Sequence, residues 1–378
     1  MKIYQTTWSV SAQAWNSLGE VENSGNLLVF LFAARSILEQ APIIERLKEM
    51  LPDASLVGCS TSGEILGVEV HDDSAVATIM DFESTTFRIS SERFGNGSDS
   101  FEIGKRLIEA LPKETLRHVF IFAPGLHVNG SMLAAGVNQA RPPGVSVTGG
   151  LAGDGALFAK TLTVSNSGVY DDQCIAVGLY GDSLEIGHSS IGGWENFGPS
   201  RKVTKSSGNV LYELDGKSAL DIYKNYLGEH AKDLPSSGLL FPLSIKLSES
   251  HKPLVRTILA VNENEQSITF AGDVPQGAIA QMMHANFDRL IQGAHDAAST
   301  SVLSSDVEFS LLISCVGRKL VLKQRTEEEV EVVQEVLGSN SHLTGFYSYG
   351  EISTSVNEGN CELHNQTMTI TTLRERSR

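Results

Sequence analysis

The chain has 378 residues, 41% of them hydrophobic, enough for a large core divided among two or three domains. A formal net charge of -16 and a pI near 5.1 exclude a cationic nucleic-acid surface and disfavour an anionic membrane surface. Cys59, Cys174, Cys315 and Cys361 are too scattered for a zinc knuckle or a disulfide framework.

The N-terminal residues, MKIYQTTWSVS, contain a short strand (Lys2 to Thr7) and no apolar core of a signal peptide. No stretch approaches the ~20 apolar residues of a membrane span, so the expected compartment is the cytoplasm. Leu27 to Phe32 is an unbroken apolar run of buried-strand length. Pro42 opens a helix whose apolar face is Ile43, Ile44, Leu47, Met50 and Leu51. The stretch LVGCSTSGEILG, Leu56 to Gly67, is a strand running into a Gly-Glu turn. Ser74 to Asp81 and Thr86 to Ser90 read as a plausible strand pair, and Ser91 to Ser100 as a loop.

Phe101 to Leu111 is a helix, His118 to Phe122 a strand, and Pro124 to Ser131 the loop past its end, where open α/β sheets tend to place ligands. Met132 to Ala140 leads to VSVTGGLAGDG, Val145 to Gly155. Lys160 to Ser165 and Cys174 to Tyr180 read as the two strands of a hairpin. Beyond Leu184 come short strands and Gly turns, a helix over Ser218 to Leu227, and strands within Phe241 to Phe270. Ala278 to Ala297, rich in Ala, His and Met, reads as a helix. Phe309 to Cys315 and the helical Glu327 to Leu337 precede LTGFYSYGEIST, Leu343 to Thr354, and the final strand is Gln366 to Leu373.

One unit therefore recurs: strand, helix, strand, Gly-rich turn. Two copies end in Gly-Glu-Ile and a looser third ends in GGLAGDG. Glycines at these turns answer a need for positive φ or close backbone approach, and such turns can present N–H groups to a ligand. The pattern predicts an α/β (α+β) layered sandwich of mixed sheets, in two halves, 1–183 and 184–378. A single large sheet satisfies the same pattern.

No GxSxG, GxxxxGK[ST] or HExxH motif occurs, so binding rather than turnover is expected. The residues placed nearest a ligand are Cys59, Ser60, Thr61, Ser62 and Glu64 of the first turn and Gly149, Gly150 and Gly153 of the second. Tyr347, Tyr349 and Glu351 of the third turn and His127 of the post-strand loop complete the set. The two glutamates also suit capping of nearby backbone donors. Cys59 is a nucleophile only if a base or cation lowers its pKa, and its alternative is a packed thiol. His364, in CELHNQTMTI, is an isolated histidine of the kind that ligates haem iron, or a hydrogen-bonded residue at a strand start.

These motifs together resemble the FIST sensory family, with its FIST N and FIST C domains. The matching stretches include LVGCSTSGEI, VTGGLAGDG, GNVLYELDGKSALDIYKNYLG, ILAVNENEQSITFAGDVPQG, LTGFYSYGEIS and ELHNQTMT. The resemblance implies a small-ligand-binding sensory module of bacterial signal transduction, acting through a separate partner such as a histidine kinase. Amino acids are ligands proposed within the family. One branch looks like nitric-oxide-sensing haem proteins, and that likeness places the haem-linked metal ligand at His364.

Overall fold

A computed structural model describes residues 1–21, 25–94, 99–247, 253–304, 306–355 and 359–376. The loop expected over Ser91 to Ser100 lies partly outside these residues, and its first part continues the strand Thr86–Arg93. The α+β layered architecture is present, as three mixed sheets and a fourth, antiparallel one.

Each of the first three sheets is centred on two parallel strands joined through helices. The pairs are Leu27–Ala33 with Ser55–Ser60, Leu116–Ala123 with Ser146–Leu151, and Phe309–Cys315 with His342–Ser348. Near-continuous apolar runs form them because both faces are covered. A third strand of each unit lies antiparallel beside the first: Ala75–Asp81, Gln173–Tyr180 and Met368–Glu375.

The hairpin after each Gly-rich turn leaves its own unit. Glu64–Leu66 pairs with His342–Ser348, Gly350–Thr354 pairs with Ser146–Leu151, and Thr163–Ser165 pairs with Ser55–Ser60. The exchange closes a ring, first unit to third, third to second, second to first. The repeat is thus threefold, and GGLAGDG is a full member. Phe30, Phe32, Phe120, Phe122, Phe309 and Phe346 fill the centre between the sheets, so the axis of the ring is packed rather than hollow.

The exchange corrects three sequence expectations. Ala75–Asp81 and Thr86–Arg93 do not pair; they belong to different sheets. Thr163–Ser165 and Gln173–Tyr180 likewise separate, the former pairing with Gly168–Tyr170. His364 does not start the final strand. It ends Cys361–His364, the outer strand of an exchanged hairpin. Away from the exchange, Met50 at the end of the helix Ile43–Met50 is exposed rather than part of its buried face.

The third unit carries an insertion. Between Leu184–Ile191 and the helix Phe287–Ser301 the chain builds the fourth sheet, with Glu195–Ser207 as its longest strand and Ala219–Leu227 packed upon it. Here the helix expected over Ala278 to Ala297 divides. Ile279–His284 is a strand held between Glu195–Ser207 and Leu243–Lys246, and Asn286 then caps the helix with its side chain. Pairing on both edges outweighs the helix preference of Ala and Met.

Candidate functional site

The three Gly-rich turns meet at one end of the ring and bond to one another. Ser62 N donates to Tyr347 O (2.8 Å), Tyr349 N to Leu151 O (3.0 Å) and Gly153 N to Ser60 O (3.0 Å). The acids inside the turns are tied as closely. Glu64 accepts from Thr61 Oγ1 through one oxygen and from Ser74 N and Oγ through the other. Glu351 repeats this with Ser348 Oγ, Thr367 N and Thr367 Oγ1. Asp154 accepts from Ala159 N, Lys160 N and Tyr349 Oη, with Arg35 Nη1 at 3.5 Å.

These bonds leave the turns closed. Cys59, Ser60, Thr61, Ser62, Glu64, Tyr347 and Glu351 are buried, and none of them, nor Gly149, Gly150 or Gly153, lines the cavity beside the turns or the groove at the far end of the strands. Gly149 is needed because a Cβ there would lie 2.0 Å from Ile121 O of the neighbouring strand. Burial, and then the nearby Glu64 charge, push the Cys59 thiol well above its usual range, so it stays protonated and un-nucleophilic.

Burial also raises Glu64 and Glu351, each to about 7, against the hydrogen bonds that lower them. Between the ordinary carboxyl value of 4.5 and about 7, the folded chain holds more protons at these sites than the unfolded chain. Their contribution to stability is therefore full below the ordinary value and declines as pH rises through about 7. Denaturant unfolding is expected to show a loss of a few kcal/mol from pH 5 to pH 8, on the order of 1 kcal/mol per pKa unit per group. Glu64→Gln and Glu351→Gln should each flatten that slope. An unchanged slope in both variants contradicts the assignment.

Beside the sealed turns lies a cavity of about 260 Å³. One wall is the loop Gly125 to Asn129 at the C-terminal end of Leu116–Ala123, with Leu151, Phe158 and Tyr349. The facing wall is the inserted module: Asn209, Leu259, Phe270, Ala271 and Gly272. His127 and Tyr349 are the residues of the expected set that come together here. His127 is exposed at the rim. Tyr349 carries Phe158 stacked on its ring, 4.4 Å between centroids and 11° between planes.

Phe158 sits at φ 50°, a costly conformation for an aromatic residue. It is held by Tyr349 Oη, which accepts from Phe158 N (3.2 Å), and by the Asp154 carboxylate gripping the next two amides. Strain of this kind collects at ligand clamps. Asn209 is anchored through Nδ2 to Phe270 O (2.8 Å), and its Oδ1 has no donor among the described residues. Sequence reasoning missed Phe158, Asn209 and Leu259; no local pattern marks them.

A larger groove, about 660 Å³, opens at the opposite end of the same strands. Its arginines are engaged, Arg376 with Glu185 (2.7 Å) and Arg117 near Asp182 (4.0 Å). It lacks an aromatic clamp and stands apart from the turns.

His364 Nε2 is buried and has no partner among the described residues, a feature that suits a ligand. Burial, reinforced by Arg256, lowers its pKa to about 4, so the ring is neutral. Yet His364 lines neither the 260 Å³ cavity nor the 660 Å³ groove. A macrocycle needs open space at the ligating nitrogen, which neither of these provides at His364. Its partner in register is Glu351, and the equivalent pair in the first unit is Glu64 with His71.

A three-sheet body with an inserted module and a cavity between them makes this a protein of layered α+β class. The FIST N domain model matches residues 27–217 and the FIST C domain model residues 219–354. The chain belongs to the FIST family, whose domains are small-ligand sensory domains of signalling systems. An uncharacterized protein of Methanocaldococcus jannaschii is 24% identical over 377 residues, covering 90% of this chain and 69% of that protein. A cyanuric acid hydrolase structure from A. caulinodans aligns at 10% identity and a TM-score of 0.35, over 94% of this chain and 92% of that one. Among the described residues no helix is long and apolar enough to cross a membrane.

Proposed function

We propose that this chain is the sensory component of a signalling pair, binding a small ligand between the ring of sheets and the inserted module. What supports the reading is the 260 Å³ cavity, walled by residues from both family-model segments. Its composition suits a compact, partly apolar ligand: an aromatic pair, apolar walls, and few polar groups, among them Asn209 Oδ1 and His127. Binding shifts the balance between module positions only as far as the ligand prefers one of them. A separate partner, such as a histidine kinase, then reads the surface that straddles both parts. Four buried, unbridged cysteines suit a reducing cytoplasm.

The test is a thermal-shift screen with an amino-acid and small-metabolite panel on wild type and Leu259→Trp. Leu259 is half exposed at the cavity wall, so tryptophan fills the space from the rim without disturbing the core. At a hundredfold excess over Kd a true ligand adds about 2.7 kcal/mol and raises Tm by several degrees. The shift should vanish in Leu259→Trp while its own Tm stays near wild type. A shift that survives in Leu259→Trp, or a panel with no shifting compound, counts against this cavity.

A further inference from the structure

Ala271 and Gly272 wall the ligand cavity, and the next residue, Asp273, faces a second one. This second cavity is about 400 Å³, and its apolar wall includes Ile245, Leu254 and Leu363. Arg256 faces it and is only 4% exposed. Its guanidinium is fixed on two sides. Nε donates to Asp273 O (2.9 Å), and Nη1 donates to Val255 O and Leu363 O (both 3.1 Å). It packs so closely on Gly272 that a Cβ there would lie 2.9 Å from Nε.

Nη2 has no acceptor among the described residues, and no carboxylate among them forms an ion pair with Arg256. Nη2 thus keeps a pair of N–H donors open to the cavity, and an oxyanion is the strongest acceptor for them, although Asp273 and Glu362 already act on the guanidinium charge. Two carboxylates, Asp273 and Glu362, also border the space. Asp273 Oδ1 is turned to Asn129 Nδ2 (3.0 Å). Their charges oppose a second negative charge on any occupant.

We propose that this cavity is a second binding site, for a small monocarboxylate whose oxygens accept from Arg256 Nη2 and whose apolar body rests on Ile245, Leu254 and Leu363. It stands independently of the ligand cavity, from which Ala271 to Asp273 separates it.

The full chain is titrated calorimetrically with acetate, isovalerate, hexanoate and benzoate, and with isovaleramide, succinate and inorganic phosphate. At least one of the branched, longer or aromatic monocarboxylates should bind more tightly than acetate. Isovaleramide, succinate and phosphate should bind that site at least about tenfold more weakly, about 1.4 kcal/mol. Arg256→Lys, which keeps the charge and loses the fork, should weaken the monocarboxylate by a similar factor. Leu259→Trp should leave its affinity unchanged. Absence of heat from all four acids up to about 50 mM would overturn the proposal. So would equal binding of the amide or of phosphate, full affinity in Arg256→Lys, or loss of binding in Leu259→Trp. The comparison of ligands on wild type decides the matter alone if Arg256→Lys does not fold.

Discussion

Arg318→Met is expected to destabilise the protein by about 3–5 kcal/mol, the largest effect of any single side-chain change considered. Arg318 and Glu329 are both fully buried, and Nη2 lies 2.7 Å from Oε2. Nε also donates to Glu329 (2.9 Å), while Ser314 Oγ (2.9 Å) and Tyr347 Oη (2.7 Å) donate to the other carboxylate oxygen. The remaining donors bind Gly192 O and Leu290 O. The Arg318–Glu329 pair therefore ties the third sheet to the helix Phe287–Ser301 and to the entrance of the inserted module. Methionine keeps most of the volume and strands the Glu329 carboxylate without its cation. The double variant Arg318→Met, Glu329→Leu should recover much of the loss, because removing both charges avoids an unpaired one. Equilibrium urea unfolding measures all three proteins. A single variant as stable as wild type would contradict the account of this pair.

Gly58→Ala and Gly345→Ala should be nearly as severe, about 3 kcal/mol or more each. In both places the added Cβ would fall 1.8 Å from a backbone oxygen, Leu31 O or Leu312 O, of the adjoining parallel strand. No flexible side chain is there to yield, so the strands must part. Gly67 is the control: it has φ 59° and nothing within 4 Å of its would-be Cβ. Gly67→Ala should cost only about 1 kcal/mol of backbone strain. If Gly58→Ala and Gly67→Ala prove equally mild, close strand approach is not why these glycines are present.

This contrast also marks what the sequence made legible. The recurring order of strand, helix, strand and Gly-rich turn identified the unit and its copies, and close backbone approach explains why glycines such as Gly58 and Gly345 recur in it. The same pattern is silent on which sheet receives the hairpin after the turn. Glu64–Leu66 is three residues long, and its partner His342–Ser348 lies nearly the whole chain away. Ile279–His284 looked helical because Ala and Met carry the local preference, and only its two neighbouring strands reveal otherwise.

At the site, the position of His127 past a strand end was readable from topology, and Tyr349 from its place in the third turn. The rest was not. Phe158 owes its place to an unusual backbone angle, Asn209 and Leu259 reach the cavity from the inserted module, and Arg256 is notable only for an unpaired edge. Glu64 and Glu351 were legible as acceptors within their turns, where Thr61 and Ser348 donate, but the backbone donors they take, Ser74 N and Thr367 N, lie 10 and 16 residues away and no local pattern announces them.

The central claim is that a small molecule occupies the space between the ring of sheets and the inserted module. Native mass spectrometry of the protein purified from its own host tests it most directly, run on wild type and Leu259→Trp side by side. The account predicts a retained small-molecule mass on wild type, released on unfolding, and its absence from an equally folded Leu259→Trp. The same adduct on both proteins, or a bare wild-type chain that also fails to take up any compound offered, would contradict it.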